Sequence, residues 1–217
     1  YSHCARRIKE DDSHAWIAFI DIDEFIVLKG DEPGHIMDLL NTVDSEAGGL
    51  SLNWVFFGSS HQRSYTPAPL TKRFQMRESD VNMHVKTIAR TSMWSKTARH
   101  SHNQQYEGDA TSVDTRGHRV GLGSVGPRNH DAFNPEGPSD IAVIHHYHTK
   151  SLEEYRTRCK RGLADQPPEA WKKQTACIQN ETELLKHVAP GSVFDDSAWQ
   201  VLKKNMTVYA MYDINAS

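Results

Sequence analysis

The chain has 217 residues, of which 37% are hydrophobic, so it is long enough to bury one sizeable core and is expected to form a single domain. Its formal net charge of −3 gives no global electrostatic reason to bind nucleic acid. No apolar run approaches the roughly 20 residues that a helix needs to cross a bilayer, and no signal peptide is visible.

The first predicted elements are a charged amphipathic helix over residues 2–10 and a strand over residues 15–21. The strand begins with an apolar run that lacks polar alternation, which is typical of a strand buried on both faces in a parallel sheet. It ends in the carboxylates of Asp21, Asp23 and Glu24. Because side chains alternate along a strand, we expect Asp21 and Asp23 to point the same way at its carboxyl end, where open α/β sheets bind ligands.

The pair Asp21 and Asp23 predicts a site for a divalent cation. Two neighbouring carboxylates repel each other and are costly to desolvate unless a cation lies between them. A hard ion with oxygen ligands, itself bound to a substrate phosphate, suits this environment. The alternative interpretation is an acidic strand end that is exposed to water or caps a nearby turn.

The remaining pattern alternates strands and helices, which predicts an α/β fold. The predicted strands are 50–56, about 84–90 and 141–144, and the predicted helices are 35–43, 151–162, one opened by Pro167-Pro168, and 196–204. A long polar region over residues 95–140 contains few apolar residues and is interpreted as a functional or disordered loop. We treat residues 1–217 as one domain that includes this loop.

His146 follows the short apolar strand 141–144 and is a candidate nitrogen ligand for the same ion. A structural histidine beside a helix start is the alternative, since the chain contains 13 histidines. His145 and His148 alternate in direction with His146 and are interpreted as bystanders.

The helix after His146 begins with Ser151-Leu152-Glu153-Glu154, which has the pattern of a capping box. Basic residues lie on or before this helix and are candidates to meet substrate phosphates. They are Lys150, Arg156, Lys160 and Arg161. A solvated basic helix face is the alternative explanation.

Trp54 and the turn Gly58-Ser59-Ser60 form a candidate platform and polar rim for a sugar ring, because aromatic rings stack on the apolar faces of sugars. The alternative is a core strand followed by an ordinary turn. The three cysteines Cys4, Cys159 and Cys177 have no close metal-ligand spacing, and one disulfide stays open as a possibility. Sequons at Asn180 and Asn205 would suit a glycoprotein of a secretory compartment.

Taken together, several blocks resemble glycosyltransferase family 92 and its relatives among the family 2-like GT-A enzymes. They occur in the expected order and comprise Trp16–Phe25, Leu52–Ser60, Lys86–Ile88, His146–Ser151, Glu153–Tyr155 and Arg161-Gly162. The resemblance implies a partial GT-A-type, Rossmann-like mixed sheet flanked by helices. It also implies an inverting transfer of a sugar from a nucleotide-sugar, with a UDP-sugar as the expected donor, to a glycan acceptor.

The same resemblance assigns roles to individual residues. Asp21 and Asp23 match the Asp-x-Asp motif, which engages the donor diphosphate through Mn²⁺ or Mg²⁺. His146 matches a histidine that contacts the metal or the diphosphate, in the block that also contains Lys150. Trp54, Gly58 and Ser59 match a block expected near the acceptor. The catalytic base stays unassigned, with Glu78, Asp80 and Asp109 as candidates by position.

The sequence departs from the family pattern in two places. About 20 residues precede Asp21, so we expect a fragment that lacks most of the N-terminal nucleotide-binding half. His61 stands where relatives often carry glycine. We expect the full-length protein in a Golgi or secretory-pathway membrane, with this chain soluble in the lumen and any membrane anchor outside it.

Two other functions stay open at this point. One is a non-catalytic carbohydrate-binding or degenerate transferase domain. The other is a phosphatase of the haloacid-dehalogenase type, in which the first aspartate is a nucleophile and Thr or Val usually stands two residues beyond the second. That position is Phe25 here, and Glu24 fits poorly beside a phosphate.

Overall fold

A computed structural model describes residues 2–11, 14–30, 32, 34–95, 102, 104–120, 133–161 and 188–213. The chain divides into two compact units. The first consists of Tyr1–Val55 and Asp80–His145, and the second of Phe56–Ser79 and His146–Ser217.

Helices and strands alternate along the chain, as the sequence predicts. In chain order they are α1 (Ser2–Asp11), β1 (Trp16–Ala18), β2 (Glu24–Leu28), α2 (Ile36–Asn41), β3 (Gly49–Phe56), α3 (Leu70–Arg73), β4 (Met76–Arg77), β5 (Asn82–Arg90), β6 (Ser112–Val113), β7 (Arg119–Val120), β8 (Ala142–His146), α4 (Leu152–Arg161), β9 (Val193–Phe194) and α5 (Ser197–Asp213). None of the helices in the described part of the chain combines the length and apolar character needed to cross a bilayer.

A seven-stranded mixed sheet organises the first unit, which confirms the predicted α/β class with a mixed sheet flanked by helices. Strand β5 lies between β1 and β3 and is antiparallel to both, with Ile88 opposite Ala18 and Lys86 opposite Leu52. Strand β3 also pairs in parallel with β6, and β8 pairs with β2 and β3. The backbone of β5 is therefore held by hydrogen bonds on both sides.

The predicted strand over residues 15–21 is wrong in extent and surroundings. Strand β1 covers only Trp16–Ala18, is half-buried and pairs antiparallel at the sheet edge. Phe19 leaves the strand and packs against Trp94, with 5.7 Å between the ring centroids. The apolar run thus fills a local cluster around Trp94, and apolar density alone does not distinguish that from burial on both faces of a sheet.

The other predicted elements agree better with the structure. Helix α2, strands β3, β5 and β8, and helices α4 and α5 lie where the sequence predicts them, with boundaries shifted by one or two residues except that α5 extends further than expected. The helix predicted after Pro167-Pro168 lies outside the described residues, as do Cys177 and Asn180. Cys159 is buried on α4.

Within the predicted polar loop 95–140 lies a hairpin formed by β6 and β7, which the sequence analysis did not indicate. The Oδ1 atom of Asp114 accepts hydrogen bonds from the backbone N–H groups of Arg116 (2.8 Å) and His118 (3.0 Å), which closes the turn. The amide of Asn134 donates to Asp114 Oδ2 (3.3 Å) and to Asn53 Oδ1 (3.2 Å). Buried polar side chains therefore attach the hairpin to β3.

Two glycines permit a close backbone approach in the second unit. A Cβ atom on Gly58 would lie 2.3 Å from the carbonyl oxygen of Ala189, and one on Gly191 would lie 2.4 Å from the carbonyl of Met76. Gly191 also has φ +90°, a backbone conformation that residues other than glycine rarely adopt. The segment around Gly191 therefore packs against β4 and the end of β3 without room for a methyl group.

Gly191→Ala is expected to destabilise the protein more than Gly117→Ala. Gly117 has a similar φ of +82° but open space around its Cβ position, so it isolates the cost of positive φ, about 1–2 kcal/mol. The clash at Gly191 adds about 1–3 kcal/mol. Urea or thermal unfolding of the two variants measures the difference, and equal destabilisation would contradict the proposed close packing.

Candidate functional site

The residues Asp21 to Glu24 form a tight turn between β1 and β2. The backbone N–H of Glu24 donates to the carbonyl oxygen of Asp21 (3.0 Å), and the N–H of Asp21 donates to Glu24 Oε2 (3.1 Å). Ile22 at the tip is 96% exposed, and the Asp21 side chain is 56% exposed. Asp23 is half-buried. The expected strand alternation is thus wrong, because a turn rather than a strand presents both carboxylates.

A buried lysine lies directly behind this turn. Lys86 on β5 places its Nζ atom 2.9 Å from Asp21 Oδ2 and 3.3 Å from Glu24 Oε2. The side chains of Lys86 and Glu24 have no solvent exposure. A buried ammonium is costly to desolvate unless it has charged partners, and the two carboxylates compensate this cost.

Glu24 differs from its neighbours in the turn because it is buried. Desolvation raises the pKa of its carboxyl above the ordinary value, and the negative charge of Asp21 acts in the same direction. The hydrogen bond from the Asp21 backbone and the charge of Lys86 oppose this shift. Glu24 therefore serves as an internal partner of Lys86, while Asp21 and Asp23 are the carboxylates that reach the surface.

The two accessible carboxylates suit a hard divalent ion that shares its coordination with a substrate. Within the described part of the chain, no group of three or more His, Cys, Asp or Glu side chains converges on a metal position. Ions such as Mg²⁺ usually keep several waters and bind through one or two carboxylates together with substrate phosphates. The donor set of Asp21 and Asp23 fits that kind of ion.

In the second unit, His146 ends β8 and is 8% exposed. Its ring centroid lies 5.3 Å from that of Phe56 and 5.5 Å from that of His148. Lys150 has φ +61°, a left-handed backbone conformation that is uncommon for residues other than glycine. The roles of His146 and Lys150 toward a metal or diphosphate stay predictions, and Asp21 and Asp23 belong to the other unit.

Helix α4 fixes the segment that carries Lys150. The predicted capping box is confirmed: Ser151 Oγ accepts from the Glu154 N–H (3.3 Å), and the Ser151 N–H donates to Glu154 Oε2 (3.2 Å). Arg158 Nη1 donates to the carbonyl oxygen of His148 (3.0 Å). Arg156 and Lys160 are exposed on the same helix.

Glu154 also forms an ion pair with Arg73, whose side chain is 4% exposed. Both nitrogens of the guanidinium fork donate to the carboxylate, with 3.0 Å between Nη1 and Oε1. Burial alone would raise the pKa of Glu154, but hydrogen bonds from Arg73 and Ser151 outweigh it and lower the pKa below its ordinary value. The pair thus ties α3 to the start of α4 inside the second unit.

The predicted sugar platform is largely buried. Trp54 is 7% exposed and stacks on His84, with 5.1 Å between centroids and 15° between planes. Ser59 is 4% exposed; its hydroxyl donates to the carbonyl oxygen of Val188 (3.0 Å). Gly58 packs against residues 189–191. These contacts give all three residues packing roles.

The three candidate bases share one property, which is exposure to solvent. They are Glu78 in the second unit and Asp80 and Asp109 in the first. Nothing in their surroundings singles out one of them.

The sequence analysis missed the roles of Lys86 and Glu24. A signal was present, because a lysine stands between Val85 and Thr87 in a strand predicted to lie inside the fold, and Glu24 directly follows Asp23. A buried lysine needs a charged partner, and the carboxylates around Asp21 are the acidic cluster that the sequence analysis identifies, so they were the natural candidates.

Glu154→Gln is expected to destabilise the protein by about 3 kcal/mol near pH 7, the low end of the cost of breaking a buried ion pair. Because the folded pKa of Glu154 is lowered, its contribution is present above the unfolded pKa of about 4.3 and is lost as the pH falls through the folded value. Urea unfolding of both proteins from pH 7 to pH 3 measures this, and the gap should narrow below about pH 5. A gap that stays constant across this range would contradict the ion pair.

The model of glycosyltransferase family 92 matches residues 1–183, which include the acidic turn, Lys86, His146 and the capped helix α4. No curated protein matches the chain. Since the match covers most of its length, the chain belongs to glycosyltransferase family 92.

Proposed function

We propose that the protein is a metal-dependent, inverting glycosyltransferase that moves a hexose from a UDP-sugar to a glycan acceptor. The observation that carries this proposal is the acidic turn: the exposed Asp21 and the half-buried Asp23 lie on either side of an exposed tip, and a buried lysine contacts Asp21. Membership of the family supports glycosyl transfer as the reaction class. The turn supports a site for a diphosphate that arrives with a divalent cation.

In this proposal the chain's own residues bind the donor and favour departure of its diphosphate. Asp21 and Asp23 would bind Mn²⁺ or Mg²⁺, which when present neutralises charge growing on the departing diphosphate. Lys150 and His146 are the candidates for further contact with the diphosphate oxygens. A carboxylate must accept the proton of the attacking acceptor hydroxyl, and Glu78, Asp80 and Asp109 are the candidates.

The proposal extends to the setting of the full-length protein. Glycan acceptors and the family resemblance support a Golgi or secretory-pathway membrane, with this part of the protein in the lumen. The sequon at Asn205 lies at an exposed position on α5 and supports the same compartment.

The alternative is a carbohydrate-binding domain of the same family without catalysis. The buried platform at Trp54 does not favour it, because its ring face already stacks on His84. Titration of UDP with Mn²⁺ separates the two functions. Saturable, metal-dependent UDP binding supports the transferase, whereas glycan binding without nucleotide supports the alternative.

Asp23→Ala in a full-length protein is expected to lower UDP-sugar hydrolysis or transfer by at least about 100-fold, since a bound ion supplies several kcal/mol of charge stabilisation. Asp140→Ala is the matched control. Asp140 is an exposed acid of the same unit, 57% exposed and paired with Arg116, and a surface pair contributes little. Asp23→Ala activity equal to that of the parent would refute the proposed role of the acidic turn.

A further inference from the structure

We propose that Lys86 and Glu24 are positioning residues that hold Asp21 in the orientation needed to bind a metal–diphosphate donor. This inference rests on the proposed function. It gives an indirect role in donor binding to two side chains that do not contact the donor themselves, since neither has any solvent exposure.

Lys86 lies on a strand that is hydrogen-bonded on both sides. Its strand β5 pairs with β1 on one side and β3 on the other, and Lys86 itself lies opposite Leu52 in β3. A side chain that starts from such a backbone has a fixed origin. The Nζ atom therefore marks a defined position beneath the acidic turn, 2.9 Å from Asp21 Oδ2.

Glu24 completes the hold on Asp21 from inside the turn. One oxygen, Oε2, lies 3.3 Å from Lys86 Nζ and accepts the backbone N–H of Asp21 at 3.1 Å. The same pair of residues thus fixes both the backbone of Asp21 and one oxygen of its carboxylate. With Oδ2 directed to Lys86, the second oxygen, Oδ1, is the one left to face a ligand.

Charge acts in the same direction as geometry. Without Lys86, the carboxylates of Asp21, Asp23 and Glu24 would place three negative charges within one four-residue turn, and like charges at such range repel strongly. The ammonium of Lys86 offsets one of these charges and so lowers the repulsion that an anionic diphosphate meets at the turn. Partners that orient metal ligands by hydrogen bonds typically contribute 10- to 100-fold to affinity.

The test compares two double variants in which an ion pair is replaced by neutral side chains of similar shape, a change that is often tolerated. Lys86→Met/Glu24→Gln removes the hold on Asp21. Arg77→Met/Asp195→Asn removes an ion pair of the second unit, with 3.1 Å between Arg77 Nε and Asp195 Oδ2, that lies outside the segment proposed to contact the donor. Calorimetric titration with UDP at saturating Mn²⁺ gives Kd for each, and urea unfolding reports stability.

The expected result is a Kd weakened about 10-fold or more for Lys86→Met/Glu24→Gln and unchanged within about twofold for the control pair, whatever its loss of stability. An unchanged Kd in the folded Lys86 variant overturns the inference. Should that variant not fold, Lys86→Gln/Glu24→Gln replaces it, because it leaves no unpaired buried charge and the shorter amide at position 86 does not reach Asp21 as the ammonium does; the same two outcomes apply.

Asp23→Ala and the parent distinguish failure of this inference from failure of the proposed function. If the parent binds UDP with Mn²⁺ and Asp23→Ala does not, an unchanged Kd for the Lys86 variant overturns the positioning role alone. If the parent shows no metal-dependent UDP binding, or Asp23→Ala binds as well as the parent, the proposed function and the inference both fail.

Discussion

The contact between the ammonium of Lys86 and the carboxylates of Asp21 and Glu24 determines what the surface of the first unit can do. A lysine without exposure on a central strand would be untenable alone, and so would a buried glutamate. Lys86 and Glu24 compensate each other's charge, and the third partner of this cluster, Asp21, is exposed at the surface. One oxygen, Glu24 Oε2, therefore connects the buried ion pair to the turn at the surface, because it contacts Lys86 Nζ and accepts the backbone N–H of Asp21.

Much of the fold followed from short-range patterns. The serine and glutamate at the start of α4 form the predicted capping box because that motif satisfies its own backbone groups. Strands β3 and β5 lie where apolar residues predict them. The α/β class followed from the alternation of these elements.

What could not be predicted depended on partners distant in sequence. Lys86 lies 65 residues from Asp21, and nothing local indicates that they meet. The polar segment that contains Asp114 resembles a loop in sequence because it has few apolar residues and because part of its attachment is through side-chain hydrogen bonds, to Asn134 and through it to Asn53. The sequence predicts Trp54 as a platform for a sugar. Its neighbours His84 and His102 are brought to it by strand register and by the path of the chain, which composition does not encode.

The β6–β7 hairpin combines a fixed base with an open tip. Its base is attached through Asp114, Asn134 and Asn53, all buried, whereas Gly117 at the tip has nothing near its Cβ position. The base is held both by these side-chain hydrogen bonds and by the parallel pairing of β6 with β3, so changes at the exposed tip are expected to affect the sheet less than changes at the base. For protein engineering, this makes the tip the natural place to graft an epitope or a fluorophore into this unit.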